Sequence, residues 1–148
     1  MSDTKPPEES AFWRNHTLDA QSVYQAAQSQ AEALGRSYVV PGSILLALLA
    51  ETDLLDAVLD VSDVTQEELQ SDVANTILDD AVVAQEIIFA KTIVGQAAAI
   101  AGSQGNRAVD AHDILMALLQ AAPPSVVGVF ANHGLSVDTV KQLTRRSQ

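Results

Sequence analysis

Hydrophobic positions along this chain recur at helical rather than strand spacing. Ala20, Val23, Ala27, Ala31 and Leu34 follow one another at intervals of three or four residues, which puts them on one face of an α-helix. Thr17 stands where an N-cap belongs, and Asp19 sits in the first turn, where its charge meets the positive end of the helix dipole. Gly35 supplies the left-handed residue that ends the helix. The pattern predicts a helix over Leu18–Leu34. After Tyr38-Val39-Val40, Pro41 opens a second helix. It carries Ile44-Leu45-Leu46-Ala47-Leu48-Leu49, apolar on nearly every face, and such a helix is expected at the buried centre of its unit. A short third helix is predicted at about Asp53–Asp60. A fourth runs from Gln66 to about Asn75, opened by a capping box of Thr65 and Glu68.

The same order then recurs. A long helix from about Asp80 to Ala101 carries Ala90, Ile93, Ala97 and Ala101 on one face, and Gly105 ends the connection after it. Asp110 caps a helix containing Ile114-Leu115-Met116-Ala117-Leu118-Leu119. Pro123-Pro124 opens a short helix through Val129-Phe130, and Ser136 caps the last one, with Asp138 in its first turn. The two apolar hexamers lie 70 residues apart. The same shift places Ala20 on Ala90, Val23 on Ile93, Ala27 on Ala97 and Gly35 on Gly105. One inserted residue near Ala121–Ser125 raises the shift to 71 and aligns Val58-Leu59 with Val129-Phe130. A shared order of small-residue face, glycine, valine, buried hexamer and capped helix marks a duplicated unit.

The expected fold class is therefore all-α: about eight helices in two tandem four-helix repeats with pseudo-twofold symmetry. Repeat 1 covers about residues 16–75 and repeat 2 about 80–148, together one domain over 16–148, after a flexible N-terminal arm at 1–15. A single unit of this size is marginal alone, so each is expected to bury a face against the other. The seam between them is where a groove is expected.

Composition narrows the function. Apolar residues make up 47% of the chain and aromatics only 4%, a small-aliphatic set that suits closely packed helices. The net charge of −11 repels nucleic-acid phosphate and anionic membrane and favours a basic protein partner. Without cysteine there are no disulfides and no thiolate metal sites. No apolar run approaches the roughly 18 residues of a membrane span. The acidic, proline-containing start lacks the pattern of a signal or transit peptide, so a cytoplasmic protein is expected.

The Ala-rich helix ending in Leu34-Gly35, the pair Tyr38-Val39, the apolar hexamer and the recurrence of this series resemble the Clp N-terminal repeat domain. Trp13, Thr17 and Ala20 fall where that family carries an aromatic, a threonine and an alanine. The resemblance covers about Trp13 to Arg146. It implies a domain like those at the front of the Clp and Hsp100 AAA+ unfoldases, which binds adaptors and substrates there. The implied partners are a Clp-type AAA+ unfoldase, its protease ring or a substrate peptide. No G-x-x-x-x-G-K-[ST] loop occurs in these residues, so the resemblance is to a stand-alone accessory member without the AAA+ module. Before its hexamer the family usually has Gly-Thr-Glu-His. Here those positions read Val40-Pro41-Gly42-Ser43 and Asp110-Ala111-His112-Asp113. Gly42 and His112 thus replace the acid that takes part in phosphoarginine binding in some members, and that activity is not implied.

No catalytic, metal or cofactor site is expected. His16, His112 and His133 are not at metal-ligand spacing. Asp110, His112 and Asp113 form the densest polar cluster; the dipole of a helix start accounts for its acids better than acid–base or metal chemistry does. Adjacent acids such as Glu67-Glu68 and Asp79-Asp80 point in different directions on a helix and make no dyad. No G-x-S-x-G turn presents a serine, and Arg145-Arg146 is too little for nucleic-acid binding. The candidate partner-binding residues are Trp13 as an interface anchor, Tyr38, Lys91 near the seam, Asp110 and His112. The expected function is a non-catalytic binding module, an adaptor or accessory subunit of a Clp-type protease, acting as a monomer or weak dimer. The alternative is a decoy that sequesters ligands or substrates of the unfoldase.

Overall fold

The helix that is apolar on every face has to find cover on every side, and this one fact organises the architecture. A computed structural model describes residues 16–35, 39–103, 105 and 108–144, apart from several side chains between 80 and 90. Eight helices occur among the described residues. They are α1 Leu18–Ala33, α2 Pro41–Glu51, α3 Asp56–Ser62, α4 Gln66–Ile77, α5 Asp80–Ser103, α6 Ala111–Ala121, α7 Pro124–Asn132 and α8 Val137–Leu143. No strand forms among them; His16 and Val109 make one isolated parallel bridge. The expected all-α class is the observed one.

Local chemistry sets the helix ends. Thr17 Oγ1 accepts from the Ala20 N–H at 3.3 Å, and Ser136 Oγ accepts from the Thr139 N–H at 3.1 Å. Thr65 and Glu68 exchange backbone-to-side-chain bonds at 3.0 Å each way, a complete capping box. Those bonds from the Thr65 N–H and hydroxyl hold the Glu68 carboxyl below the usual glutamate range. The support it gives the helix is present at neutral pH and fades as pH falls through that lowered value. Gly35 and Gly105, after α1 and α5, have φ of +81° and +97°, a region an L side chain rarely adopts.

The third helix starts at Asp56, later than the expected Asp53. Thr52 is the cause. Its hydroxyl donates to the Leu48 carbonyl at 2.6 Å and accepts from the Leu54 N–H at 3.3 Å. The chain therefore turns once at Asp53, whose carbonyl takes the Asp56 N–H, before the helix can begin.

Every residue of α2 from Pro41 to Leu49 is buried. In α6 the buried set is Ala111, Asp113 and most of Ile114–Leu119. Ala20, Val23, Ala27 and Ala31 of α1 are buried, as are Ile93, Ala97 and Ala101 of α5. Small residues on those faces let each long helix lie close against its central neighbour. Within the first half α2 packs on α1 and α4, and within the second half α6 packs on α5 and α8. Between the halves α2 meets α6, α1 meets α6 as α5 meets α2, and α4 meets α7 as α8 meets α3. The bounds of α2 and α6 differ by 70 residues at both ends. Among the described residues no single helix is long and apolar enough to cross a membrane; α6 and α7 together would be, but they meet at 94°.

Candidate binding surface

The seam between the halves is built where the starts of α1 and α6 come together. The Thr17 N–H donates to the Val109 carbonyl at 2.9 Å, which ties the entry of α1 to the entry of α6. Gln21 reinforces the tie by donating to the His16 carbonyl at 3.0 Å. At the start of α6, Asp110 and Asp113 form a second capping box, each carboxylate accepting the other's N–H at 3.0 Å. Asp113 is fully buried. The aspartate pair is therefore committed to the backbone of its own helix.

Tyr24 of α1 reaches this point from the other half. Its ring meets the His16 ring edge-on, with centroids 5.7 Å apart. Burial foremost, and the nearby Asp113 charge second, push the Tyr24 phenol well above its ordinary range. A raised folded-state pKa means that the neutral phenol is favoured in the fold. The stability it contributes is whole below a pH of about 10 and is lost as pH rises beyond that. Urea midpoints measured between about pH 8 and 11 should fall for the native sequence, and Tyr24→Phe should flatten the fall. An identical decline in the variant would assign the loss to other groups.

A depression of about 420 Å³ opens beside the seam, lined by Asp19 of α1, Ala50 to Leu54 at the end of α2, and Ala111 of α6. Asp19, Glu51 and Asp53 give it three carboxylates. Leu18, next to Asp19, is 80% exposed. The seam thus carries a depression at this point, and its lining mixes these acids with Ala50, Leu54 and Ala111.

The five candidate residues separate. Trp13 and Tyr38 lie outside the described residues. Lys91 is exposed on α5. Asp110 is a helix cap. His112 is half-buried, and its Nε2 donates to the Thr144 carbonyl at 2.6 Å, which fastens the end of α8 to α6. Gly42 has the corresponding place in the first half. A Cβ there would stand 2.9 Å from Cγ1 of Ile77, so the last turn of α4 closes over it. Both positions where the resembled family carries its acid are therefore filled by contact with the last helix of the same half. Sequence reading missed a further link across the halves, from His133 Nε2 at the end of α7 to the Asp72 carboxylate on α4 at 2.5 Å. No local spacing announces a pair 61 residues apart in the chain. Among the described residues no three His, Cys, Asp or Glu side chains converge as a metal ion needs.

No protein-family model matches the chain, and no curated protein matches it in sequence. Among solved structures, the Hsp104 N-terminal domain from Candida albicans is similar, with a TM-score of 0.70 at 20% sequence identity. The similarity covers 88% of this chain and 89% of that one. The fold is that of an Hsp104 N-terminal domain, a Clp N-domain fold, as the resemblance implied.

Proposed function

We propose that this chain, folded like an Hsp104 N-terminal domain, is a non-catalytic protein-binding module. In this reading it serves in the cytoplasm as an adaptor or accessory subunit of a Clp-type ATP-dependent protease. The observation that carries the reading is the extent of the structural likeness, which runs over nearly all of both chains rather than over one shared helix pair. The polar clusters point the same way. The Asp110–Asp113 carboxylates are taken up by helix capping and His112 by the Thr144 carbonyl, so this cluster makes internal contacts instead of presenting a reactive group. Recognition then rests on shape and surface charge, with no bond made or broken. The partner is an AAA+ unfoldase, its protease ring or a substrate peptide.

The test is a pull-down with the tagged protein from its native cytoplasm, at low and at near-physiological salt, read by mass spectrometry. An AAA+ unfoldase or its protease component retained at the higher salt is the expected result. A charge of −11 attracts basic proteins without specificity, and such capture disappears when salt screens it. If everything captured is lost in that way, the adaptor reading falls.

A further inference from the structure

The seam depression does not end at the seam. Glu51, which lines it, also lines a second depression of about 360 Å³ along Ser22, Ala26 and Ser29 of α1. Gln30 lines that second depression and also a third, of about 400 Å³, between α1 and α4. The third has Leu34 and Leu46 on its apolar side and Glu67, Gln70 and Ser71 on its polar side. Sharing Glu51 and Gln30 at their borders, the three follow one another along α1 from Asp19 to Leu34, and together they are taken as one trough. Fifteen helical steps span roughly 22 Å, the length of about six or seven residues of extended chain.

We propose that this trough is the docking site for an extended, basic segment of a partner protein. The inference rests on the protein-binding reading above and names the face and the chemistry of the partner. Charge carries the first part of the argument. Asp19, Glu51, Asp53 and Glu67 distribute carboxylates along the trough, and among the described residues no lysine or arginine lines it. A segment with Lys or Arg at intervals complements that row.

The amides carry the second part. Gln21, Gln28, Gln66, Gln96 and Gln120 spend their side chains on internal hydrogen bonds. Gln25, Gln30 and Gln70, which line the trough, make none among the described residues, although Gln30 and Gln70 are half-buried. Side-chain amides offer both a donor and an acceptor. An extended segment brings its own unpaired N–H and C=O groups, whereas a docked helix has already paired them. Ser22, Ala26 and Ser29 keep the floor low enough for a main chain to lie along α1.

The experiment is fluorescence anisotropy on the full chain at about 0.15 M salt, with an eight-residue labelled peptide alternating Lys and Ala as probe. The Lys/Ala peptide should bind, and a Glu/Ala peptide should not. Reversing charge in the trough with Glu51→Lys and Asp53→Lys, both exposed positions, should weaken binding by about tenfold or more. Glu32→Lys with Asp60→Lys changes the net charge equally at exposed sites that line none of the three depressions, and should leave affinity within about twofold. Ser29→Trp fills the floor without altering charge and should weaken binding as the trough reversal does. Equal loss in both charge-reversed pairs would mean that only the overall field attracts the peptide, and the docking site is overturned. If the peptide fails to bind while the pull-down still retains its partner, the trough is wrong and the binding-module reading survives. If both fail, the reading falls and takes the trough with it.

Discussion

Truncating Phe130 to alanine is expected to remove about 3–5 kcal/mol of folding stability. The corresponding truncation in the first half, Leu59→Ala, should cost less than half of that. Phe130 is fully buried on α7. The core to which it belongs is otherwise aliphatic, with side chains such as Ile44, Leu45, Leu69 and Leu115, and packed helices close only partly over the cavity that a lost ring leaves. The helix that carries Phe130 packs on α2 and α4 of the other half, so the loss is expected to weaken the contact between halves. Leu59, which the 71-residue shift aligns with Phe130, is only partly buried against the core. Against a typical total of about 5–15 kcal/mol, the Phe130 loss lowers the melting temperature by on the order of 10 °C. Urea unfolding with unchanged m-value measures both losses. Similar small losses at the two positions would mean that the halves carry their core equally and that α7 does not join them.

That asymmetry shows where the sequence is a sufficient guide and where it stops. Caps are local, so Thr17, Thr65 with Glu68, Asp110 and Ser136 can be read from residue type and spacing, and all four cap their helices. The hexamers announce burial because a helix apolar all round has no face to give to water. The α3 helix starts three residues after the point that spacing predicts because a single hydroxyl, that of Thr52, competes for backbone groups there. The trough was legible only in part. Its acidic end lies at the seam where a groove was expected. Its continuation depends on how far apart α1 and α4 sit across α2, a distance set by side chains from three helices and by no local pattern. The cluster of Asp110, His112 and Asp113 looked chemically dense in one dimension; in three, each of its groups is turned to a structural task.

Restoring the acid of the resembled family is expected to have opposite outcomes in the two halves. Gly42→Glu should abolish most of the stability of the chain, whereas His112→Glu should fold. At Gly42 the first side-chain carbon already meets Ile77 at 2.9 and 3.3 Å and the Thr76 hydroxyl at 3.4 Å. Ile77 is 1% exposed, so it must give way inside the core rather than into solvent. Overpacking of this kind costs about 1–3 kcal/mol, and Gly42→Ala isolates that share. A glutamate adds a carboxylate pressed against an isoleucine, an uncompensated buried charge that costs several kcal/mol more. At His112 the change removes one hydrogen bond to the Thr144 carbonyl from a half-buried side chain. That loosens α8 by roughly 1–3 kcal/mol and leaves the carboxylate a path to water. Urea midpoints of the three variants decide the matter. Should Gly42→Glu unfold at the native midpoint, α4 yields at this wall, and packing does not explain why glycine stands there. The expected order, Gly42→Glu far below Gly42→Ala and His112→Glu, places the departure from the family pattern in the closure of α4 over α2. In that case a phosphoarginine site of the family type cannot be rebuilt in the first half without reshaping its core.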